Sequence, residues 1–269
     1  VTVDVSKSSQ PYSSLLLASC GQEGDCVIHT KGTPVSRRHS GLTIELMQKC
    51  GAGIEITEEK TIISPWTSNP PSEWDVPSDG SMVAFPILAC LLTKQPIRIE
   101  NPVDAKDALG HEILFEHLSN FGIRYQDSTL RCDGSSDEVE IDLRDANDLL
   151  PPLAAILALS GGGRLRGAAH AKHKESNRIR STKKLLDAFG LIATIEDDGL
   201  SIEGGQTLTM PDSLVETYGD HRIQMTAVLL ATQTGATVEG PRLHRIADPE
   251  FLTRLSAMPT EVLVKGIQR

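Results

Sequence analysis

The sequence predicts an α/β fold built from a βαβαββ unit that repeats roughly every 70 residues. In the first place, a segment with helical apolar spacing ends at a glycine and is followed by two short strands, and this arrangement occurs three times. The glycines are Gly51, Gly122 and Gly190. In the second place, a further helix and strand lie upstream of each glycine and complete the unit. This order of elements is typical of a layered α/β architecture.

Each element of the repeat has its own signal. Glycine after the last helical turn is the expected C-cap, because it enters the left-handed region without steric cost. Two short strands around a turn such as Asp197-Asp198-Gly199 are typical of a hairpin. The first copy is predicted to contain a helix from Ser8, a strand at 26–30, a helix at 42–49 and strands at 54–56 and 61–63. The second contains a helix from Ser81, a strand at 97–100, a helix at 112–120 and strands at 123–125 and 129–131. The third contains a helix from Asp148, a strand at 164–166, a helix at 182–189 and strands at 192–195 and 200–202.

A fourth, partial copy follows the third. Its predicted elements are a strand at 208–210, a helix at 221–233, a strand at 237–239, a short helix at 249–255 and a strand at 262–264. The apolar run that begins at His221 is the strongest helical signal in this part of the chain.

The segment 66–77 is the clearest break between domains. Four prolines lie in or beside it: Pro65, Pro70, Pro71 and Pro77. Because proline interrupts a regular helix, we predict a hinge there. One domain, residues 1–75, would contain a single βαβαββ unit. The other, residues 76–269, would contain two and a half to three units.

Composition limits the classes of function. The formal net charge of −10 argues against a nucleic-acid-binding surface, which needs a continuous basic face. The longest apolar stretches, 149–159 and 225–231, are too short to span a membrane, and no signal-peptide pattern is present. We therefore expect a cytoplasmic protein that binds anions only in local pockets.

The cysteines predict neither a disulfide framework nor a zinc site. They are odd in number and widely spaced, so we interpret them as reduced core thiols: Cys20, Cys26, Cys50, Cys90 and Cys132. His170 and His173 have a possible metal-ligand spacing, but no third ligand is evident.

Two serine-containing segments lie at predicted helix starts, Ser8-Ser9-Gln10 and Ser36-Arg37-Arg38. Their hydroxyls could cap free backbone N–H groups, or they could bind phosphate together with those N–H groups. The two arginines could form paired hydrogen bonds to phosphate or carboxylate oxygens, or they could simply be solvated.

Asp148 precedes an almost entirely apolar predicted helix. One interpretation is an N-cap carboxylate. The other is a base whose pKa is raised by its surroundings and which takes a proton from a substrate hydroxyl.

Two charged clusters, Lys174-Glu175-Ser176-Asn177-Arg178 and Asp220-His221-Arg222, also lie at predicted helix starts. Cations there oppose the helix macrodipole, so their presence indicates an anion beside them. The alternative for the first cluster is a pair between Glu175 and Arg178 or Arg180 on a solvated face. His221 could titrate near neutrality or be structural.

Taken together and in order, these segments resemble the 5-enolpyruvylshikimate-3-phosphate (EPSP) synthase family. The matching motifs are Ser8-Ser9-Gln10, Val35-Ser36-Arg37, Asp79-Gly80-Ser81, Lys174 to Arg178 and Asp220-His221-Arg222, with Asp148 at the position of the family's catalytic aspartate. The resemblance implies an inside-out α/β barrel of six βαβαββ units in two domains, here incomplete with about four units. Residues 1–75 would be the remnant of the second family domain, and residues 76–269 would be the first.

The resemblance also implies an activity, transfer of the enolpyruvyl group from phosphoenolpyruvate to the 5-hydroxyl of shikimate 3-phosphate, without metal or cofactor. Asp148 and Glu175 would be catalytic. The implied ligands are Ser8, Ser9, Ser36, Asp148 and Lys174 for shikimate 3-phosphate, and Gln10, Arg178, Arg222 and His221 for phosphoenolpyruvate. A complementing amino-terminal segment or subunit is a further expected partner.

Two alternatives stay open. The chain could be a non-catalytic relative that keeps the fold as a binding or interaction module. It could also resemble the UDP-N-acetylglucosamine enolpyruvyl transferases, although none of its cysteines is a convincing exposed catalytic thiol and the segment from Lys174 to Arg178 favours the shikimate enzyme.

Overall fold

The computed structural model describes residues 1–101, 104 and 109–257, and it divides the chain into two compact units, Val1–Ser78 and Asp79–Arg269. The division falls three residues after the predicted one. The correspondence of the two units to the two family domains stays a prediction. Residues 64–79 form neither helix nor strand, as their prolines predict, and the role of this segment as a hinge also stays a prediction.

The first unit contains one complete βαβαββ copy. Its elements are β1 (Thr2–Asp4), α1 (Gln10–Ala18), β2 (Cys26–Lys31), α2 (Arg37–Lys49), β3 (Ile54–Ile56) and β4 (Lys60–Ile63). The sheet order is β1-β2-β4-β3, with β1 parallel to β2 and the other pairs antiparallel. Its small core includes Leu16, Ile28 and Met47, and Trp66 donates a hydrogen bond to Ser19 Oγ at 3.0 Å.

The second unit contains the remaining copies. Its strands are β5 (Ile97–Arg98), β6 (Ile123–Gln126), β7 (Thr129–Cys132), β8 (Val139–Asp142), β9 (Gly163–Arg166), β10 (Ala193–Glu196) and β11 (Gly199–Ile202). Its α-helices are α3 (Ala84–Thr93), α4 (Ile113–Glu116), α5 (Leu150–Leu159), α6 (Arg178–Ala188), α7 (His221–Thr234) and α8 (Phe251–Ser256). Short 3₁₀ turns at Gly80–Val83 and Asn147–Leu149 lead directly into α3 and α5.

Strand pairing confirms the predicted repeat. The sheet of β8 to β11 has the order β10-β11-β9-β8, with β8 parallel to β9 and the other pairs antiparallel. This pairing is the one found in the first unit. The third sheet, β5-β7-β6, shows the same antiparallel pairs without a leading parallel strand among the described residues. Three sheets therefore share one connection pattern.

Several predicted elements differ from the structure. The helix predicted at 112–120 contains only the four residues of α4, and residues 208–210 form no strand. Instead, Thr209 N donates to Phe189 O at 2.9 Å and so satisfies the carboxyl-terminal end of α6. The strand predicted at 237–239 is reduced to a single bridge between Val215 and Val238. The strand predicted at 262–264 lies outside the described residues.

Helix α5 is the centre of the second unit. Residues 150–158 are all buried, and the helix packs against α3, α6 and α7. A helix that is apolar on every side is stable only inside a core, which is why this sequence has no polar face. The amino-terminal ends of α3, α5, α6 and α7 lie close together, since side chains at these ends contact one another.

Two features predicted from the sequence are the burial of the cysteines and the absence of membrane-spanning helices. Cys20 is exposed, so the interpretation of all five cysteines as core thiols is wrong at that position, and Cys90 is fully buried. The sulfur atoms of Cys90 and Cys132 lie 3.9 Å apart as free thiols. Within the described ranges, no helix combines the length and the hydropathy that crossing a membrane requires.

Candidate active site at four helix amino termini

Four helices of the second unit begin around one set of charged side chains. Asp79 caps the 3₁₀ turn before α3, and Asp148 lies in the turn before α5. Asn177 caps α6, because its side chain accepts from Arg180 N at 3.3 Å. Asp220 caps α7 by accepting from Arg222 N at 2.9 Å. Convergent helix amino termini create a positive potential that favours anions.

Arg178 lies at the centre of this arrangement with only 1% of its side chain exposed. It donates from Nη1 to Asp148 at 2.5 Å and from Nη2 to Glu175 at 2.7 Å. Its Nε donates to Asp220 Oδ2 at 2.9 Å. One guanidinium therefore holds three carboxylates that come from the starts of three different helices.

Asp220 is the fully buried partner of this group, with a side chain that is 0% exposed. Besides the bond from Arg178, its Oδ2 accepts from Ser176 Oγ at 3.1 Å, and its Oδ1 accepts the capping bond from Arg222 N. A buried carboxylate is stable only when its oxygens are hydrogen-bonded, and these donors meet that requirement. Asp220 thereby joins the start of α6 to the start of α7.

Asp148 does not behave as either sequence interpretation predicts. Its side chain caps neither the 3₁₀ turn nor α5. Burial acts to raise the pKa of Asp148, but Arg178, Lys174 and Arg222 outweigh it and hold the pKa below its ordinary value. The predicted raised pKa is therefore wrong. The carboxylate is ionised at neutral pH and is 29% exposed, so it remains accessible to solvent.

Glu175 and Lys174 lie at the outer side of the cluster. The pair between Glu175 and Arg178 exists, but only Glu175, at 45% exposure, faces solvent. The alternative of a solvated ion pair is thus wrong for Arg178. Lys174 is half-buried, and none of the described residues pairs with its ammonium group. Its charge acts on Asp148, whose pKa it lowers.

Arg222 is buried like Arg178 but is much less satisfied. Its Nη2 donates to Ser81 Oγ at 2.8 Å and lies 3.9 Å from Asp79 Oδ2. Its Nη1 has only a weak contact with Met82 Sδ at 3.8 Å, and its buried Nε has no acceptor among the described residues. Phe85 lies beneath the guanidinium at 6.0 Å. Arg222 consequently retains N–H groups that can bind an anion.

Two buried histidines, His170 and His221, adjoin the cluster, and the pKa of each is lowered. Burial lowers the pKa of His221, and Arg222 lowers it further against the opposing effect of Asp220. Burial likewise lowers the pKa of His170, whose Nε2 lies 2.8 Å from the amide nitrogen of Asn147. The Nδ1 atoms of both rings are buried and lack partners in the part of the chain that the structure describes. Each ring therefore offers one more polar atom beside the charged groups.

The first unit contains the predicted phosphate-binding serines at the starts of α1 and α2. Ser8 Oγ accepts from Gln10 N at 3.1 Å, which confirms the capping interpretation for Ser8. Ser9 and Ser36 are buried N-cap residues, but neither hydroxyl accepts a capping bond from a described backbone N–H. Val35 N donates to Val5 O at 3.2 Å, so the chain segments that lead into both helices lie side by side.

The charged residues do not form a recognisable metal site. Among the described residues, no group of three or more histidine, cysteine, aspartate or glutamate side chains is arranged to hold a metal ion. The carboxylates of the cluster are instead directed at arginines.

The family of the chain follows from a comparison of its sequence with models of known families. The model described as EPSP synthase (3-phosphoshikimate 1-carboxyvinyltransferase) matches residues 1–255. The chain belongs to the EPSP synthase family. The resemblance predicted from its motifs is confirmed.

Curated relatives carry the same family name. The chain is 28% identical to the 3-phosphoshikimate 1-carboxyvinyltransferase of Methanocella arvoryzae over 98% of its own length and 63% of that protein. It is 31% identical to the protein of that name from Thermococcus kodakarensis, over 94% of its own length and 60% of that protein. The chain thus spans about three-fifths of the length of these relatives.

Solved structures of an EPSP synthase and of another enolpyruvyl transferase share the fold. The EPSP synthase of Acinetobacter baumannii superimposes with a TM-score of 0.71 at 22% identity, covering 95% of this chain and 61% of that one. The enolpyruvyl transferase NikO of Streptomyces tendae gives 0.70 at 18% identity, covering 97% and 64%. The predicted α/β fold of the enolpyruvyl transferase type is confirmed. The number of units in a complete barrel, about four of six here, stays a prediction.

Two contacts of the candidate site in this chain were not predicted from the sequence. Asp220 belongs to one sequence motif with His221 and Arg222, but its side chain also accepts a hydrogen bond from Arg178. Ser81 belongs to the motif Asp79-Gly80-Ser81, and its hydroxyl oxygen accepts a hydrogen bond from Arg222 Nη2. The signal for Asp220 was its position ahead of the apolar segment 225–231, since a carboxylate that is buried beside such a segment must find a cation.

Proposed function

We propose that the chain takes part in enolpyruvyl transfer from phosphoenolpyruvate to the 5-hydroxyl of shikimate 3-phosphate, with release of inorganic phosphate. The proposal rests on one observation above others. In a chain of the EPSP synthase family, two buried arginines and two solvent-accessible carboxylates meet at four helix amino termini. This arrangement suits an anionic substrate whose protons must also be moved.

In the proposed reaction, the oxygen of the 5-hydroxyl forms a bond to C2 of phosphoenolpyruvate while C3 takes up a proton. Loss of a proton from C3 and cleavage of the C2–O bond to phosphate then give the enolpyruvyl ether. Asp148 would take the hydroxyl proton. Because Arg178 keeps Asp148 ionised, this carboxylate would accept the proton only in concert with the addition. Glu175 would exchange protons with C3.

The substrate ligands follow the sequence prediction. Arg222 would bind phosphoenolpyruvate through its unsatisfied N–H groups, with His221 and Arg178 assisting. The role of Gln10 in the first unit stays a prediction from the sequence. Lys174, which has no carboxylate partner among the described residues, would bind the phosphate of shikimate 3-phosphate. The roles of Ser8, Ser9 and Ser36 in the first unit stay predictions from the sequence. Fixed cations of this kind stabilise charge that develops during the reaction.

Release of inorganic phosphate from the two substrates together tests the proposal. It is measured with the chain alone and with an amino-terminal segment of a relative supplied in trans. We expect release in at least one arrangement and its loss in Asp148→Asn, which keeps the side-chain volume. Asp187→Asn is the matched control, because Asp187 is 51% exposed and pairs with Lys183 on α6. Absence of release in both arrangements would contradict the proposed enzyme.

A second candidate is a non-catalytic binding module. It is favoured by Arg178, which is 1% exposed and already bound by three carboxylates. Isothermal titration with shikimate 3-phosphate separates the two candidates. Binding without phosphate release in either arrangement would support the module, whereas binding with release would support the enzyme. The complementing segment and the cytoplasmic location stay predictions.

A further inference from the structure

We infer that Ser81 and Asp79 are positioning residues that set the orientation of the Arg222 guanidinium for anion binding. The inference rests on the proposed function only for the identity of the anion, phosphoenolpyruvate. It concerns the second unit alone, where Ser81 is 1% exposed at the start of the turn that leads into α3.

The hydrogen-bond directions in this group follow from the donors present. Asp79 Oδ1 accepts from Ser81 N at 2.9 Å and from Ser81 Oγ at 2.6 Å. The Ser81 hydroxyl proton is therefore directed at Asp79. A serine oxygen has two lone pairs, and one of them receives the N–H of Arg222 Nη2 at 2.8 Å. Asp79 thus fixes a rotatable hydroxyl in the orientation that Arg222 needs.

Ser81 is the sole oxygen acceptor for the Arg222 side chain among the described residues. The sulfur of Met82 is a weak acceptor at 3.8 Å, and the Phe85 ring supports one face at 6.0 Å without defining rotation in the plane. Removal of the Ser81 hydroxyl would leave the guanidinium without a directional contact. An arginine that binds carboxylate or phosphate through two parallel N–H groups needs its plane fixed in advance.

Asp79 acts on Arg222 mainly through Ser81. Its carboxylate is 55% exposed, and its Oδ2 lies 3.9 Å from Arg222 Nη2, so the direct charge interaction is screened by solvent. For the orientation of Arg222, the side-chain oxygen of residue 79 that accepts from Ser81 should therefore matter more than the negative charge of residue 79. Asparagine retains that acceptor and alanine does not, so the two substitutions distinguish a positioning role from an ion pair.

The experiment compares Ser81→Ala, Ser81→Thr and the control Ser160→Ala. Ser160 is also buried, but its hydroxyl donates to the backbone oxygen of Ile156. We expect Ser81→Ala to raise the KM for phosphoenolpyruvate about tenfold, the cost of one hydrogen bond to a charged group. The KM for shikimate 3-phosphate should not change, and the threonine variant should restore the wild-type value. An equal rise in both KM values, or a rise in the control, would overturn the inference.

The pair Asp79→Asn and Asp79→Ala provides an independent comparison if Ser81→Ala does not fold. We expect the KM for phosphoenolpyruvate to stay close to wild type in the asparagine variant and to rise severalfold in the alanine variant. Equal effects of the two substitutions would mean that the charge of Asp79 acts directly, and the positioning role would be wrong. Circular dichroism of each variant establishes that it is folded.

A measurement without turnover separates this inference from the proposed function. Nitrogen-15 relaxation of the Arg222 side chain reports how rigidly the guanidinium is held. We expect Ser81→Ala to increase its mobility and Ser160→Ala to leave it unchanged. If the wild-type chain releases no phosphate in any arrangement, the proposed function fails and this comparison still decides the positioning role. Unchanged mobility in Ser81→Ala would overturn it.

Discussion

Arg178 and Arg222 lie in neighbouring parts of the second unit and differ in how the protein satisfies them. Arg178 is surrounded by three carboxylates from Asp148, Glu175 and Asp220. Arg222 is also buried, yet its only oxygen acceptor among the described residues is a serine. Both arginines lie in the first turn of a helix, Arg178 after the cap Asn177 and Arg222 after the cap Asp220. Similar positions have therefore produced one cation that is held by internal carboxylates and one that retains binding capacity.

The different partners of the two arginines distinguish a structural role from a ligand-binding role. Buried charges are costly unless they are paired, so the three carboxylates stabilise Arg178, and Arg178 offsets the repulsion among them. Arg222 keeps a buried Nε without an acceptor among the described residues, and a bound anion would lower the cost of burying its charge. We interpret Arg178 as the element that holds the three helix starts in place and Arg222 as the stronger candidate for direct contact with phosphoenolpyruvate.

The largest effect is expected from Arg178→Met. This substitution keeps an unbranched apolar stem but removes the guanidinium, and it leaves three carboxylates near one another without their common cation. We expect it to lower the free energy of unfolding of the second unit by about 3–5 kcal/mol. Both tryptophans, Trp66 and Trp74, lie in the first unit, so their fluorescence serves as an internal control. Amide hydrogen exchange of α5 during urea unfolding reports on the second unit.

Arg166→Met is the matched control. Arg166 also contacts two carboxylates, Glu140 at 2.6 Å and Asp142 at 3.0 Å, but its side chain is 48% exposed. We expect its loss to cost less than about 1 kcal/mol, since exposed ion pairs contribute little. Equal losses in the two variants would mean that burial of Arg178 has no special role, and the comparison of the two arginines would be wrong.

Arg222→Met should give the opposite pattern. We expect an affinity for phosphoenolpyruvate about 100-fold lower, the order expected when a buried charge loses its partner. Stability should fall by only about 1 kcal/mol, because a single strong hydrogen bond is lost. Isothermal titration and urea unfolding measure the two quantities. A large loss of stability with unchanged binding would reverse the roles assigned to the two arginines.

The third expected effect concerns pH. The folded pKa of Asp148 is held below its ordinary value of 3.8, so its contribution to stability is fully present above that pH. The contribution is lost as the pH falls through the lower folded pKa. Asp148→Asn should therefore be less stable than the wild type at neutral pH, and the difference should shrink in acid. Urea unfolding at a series of pH values measures it, and a constant difference would contradict the pairing with Arg178.

The smallest effect is expected at His221. Burial lowers the pKa of its imidazole, and Arg222 is the next largest cause. Arg222→Met should raise this pKa toward the ordinary value of 6.5, because a neighbouring positive charge is removed. A nuclear magnetic resonance titration of the His221 ring measures the change. No rise would mean that Arg222 and His221 are not electrostatically coupled as their positions require.

Much of the fold could be predicted because its signals are local. The glycines at 51, 122 and 190 all have positive φ angles, and the strands around them differ from the predicted ones by about one residue. The prediction of secondary structure failed where contacts between residues far apart in the sequence determine the conformation. Residues 208–210 have a strand-like composition, but Thr209 N donates its hydrogen bond to Phe189 O at the end of α6 and not to a neighbouring strand.

The site was predicted less completely than the fold. The charged residues could be found, since cations at helix starts conflict with the macrodipole. Their partners could not be assigned, because Arg178 and Asp220 are 42 positions apart and meet only after α6 and α7 pack. The predicted external anion beside Arg178 is replaced by three internal ones. The roles of the individual residues toward the two substrates stay predictions.

The sequence separation within the Arg178 cluster also has a consequence for assembly on the ribosome. Asp148, Glu175 and Arg178 belong to the repeat that β11 closes, and they are synthesised before Asp220. Domains fold from the amino terminus as the chain emerges, so this repeat can form its own sheet early. During that interval Arg178 has two carboxylates and an open side. The emergence of α7 supplies the third carboxylate, so the charged cluster can be completed only after the helix that follows this repeat has been synthesised.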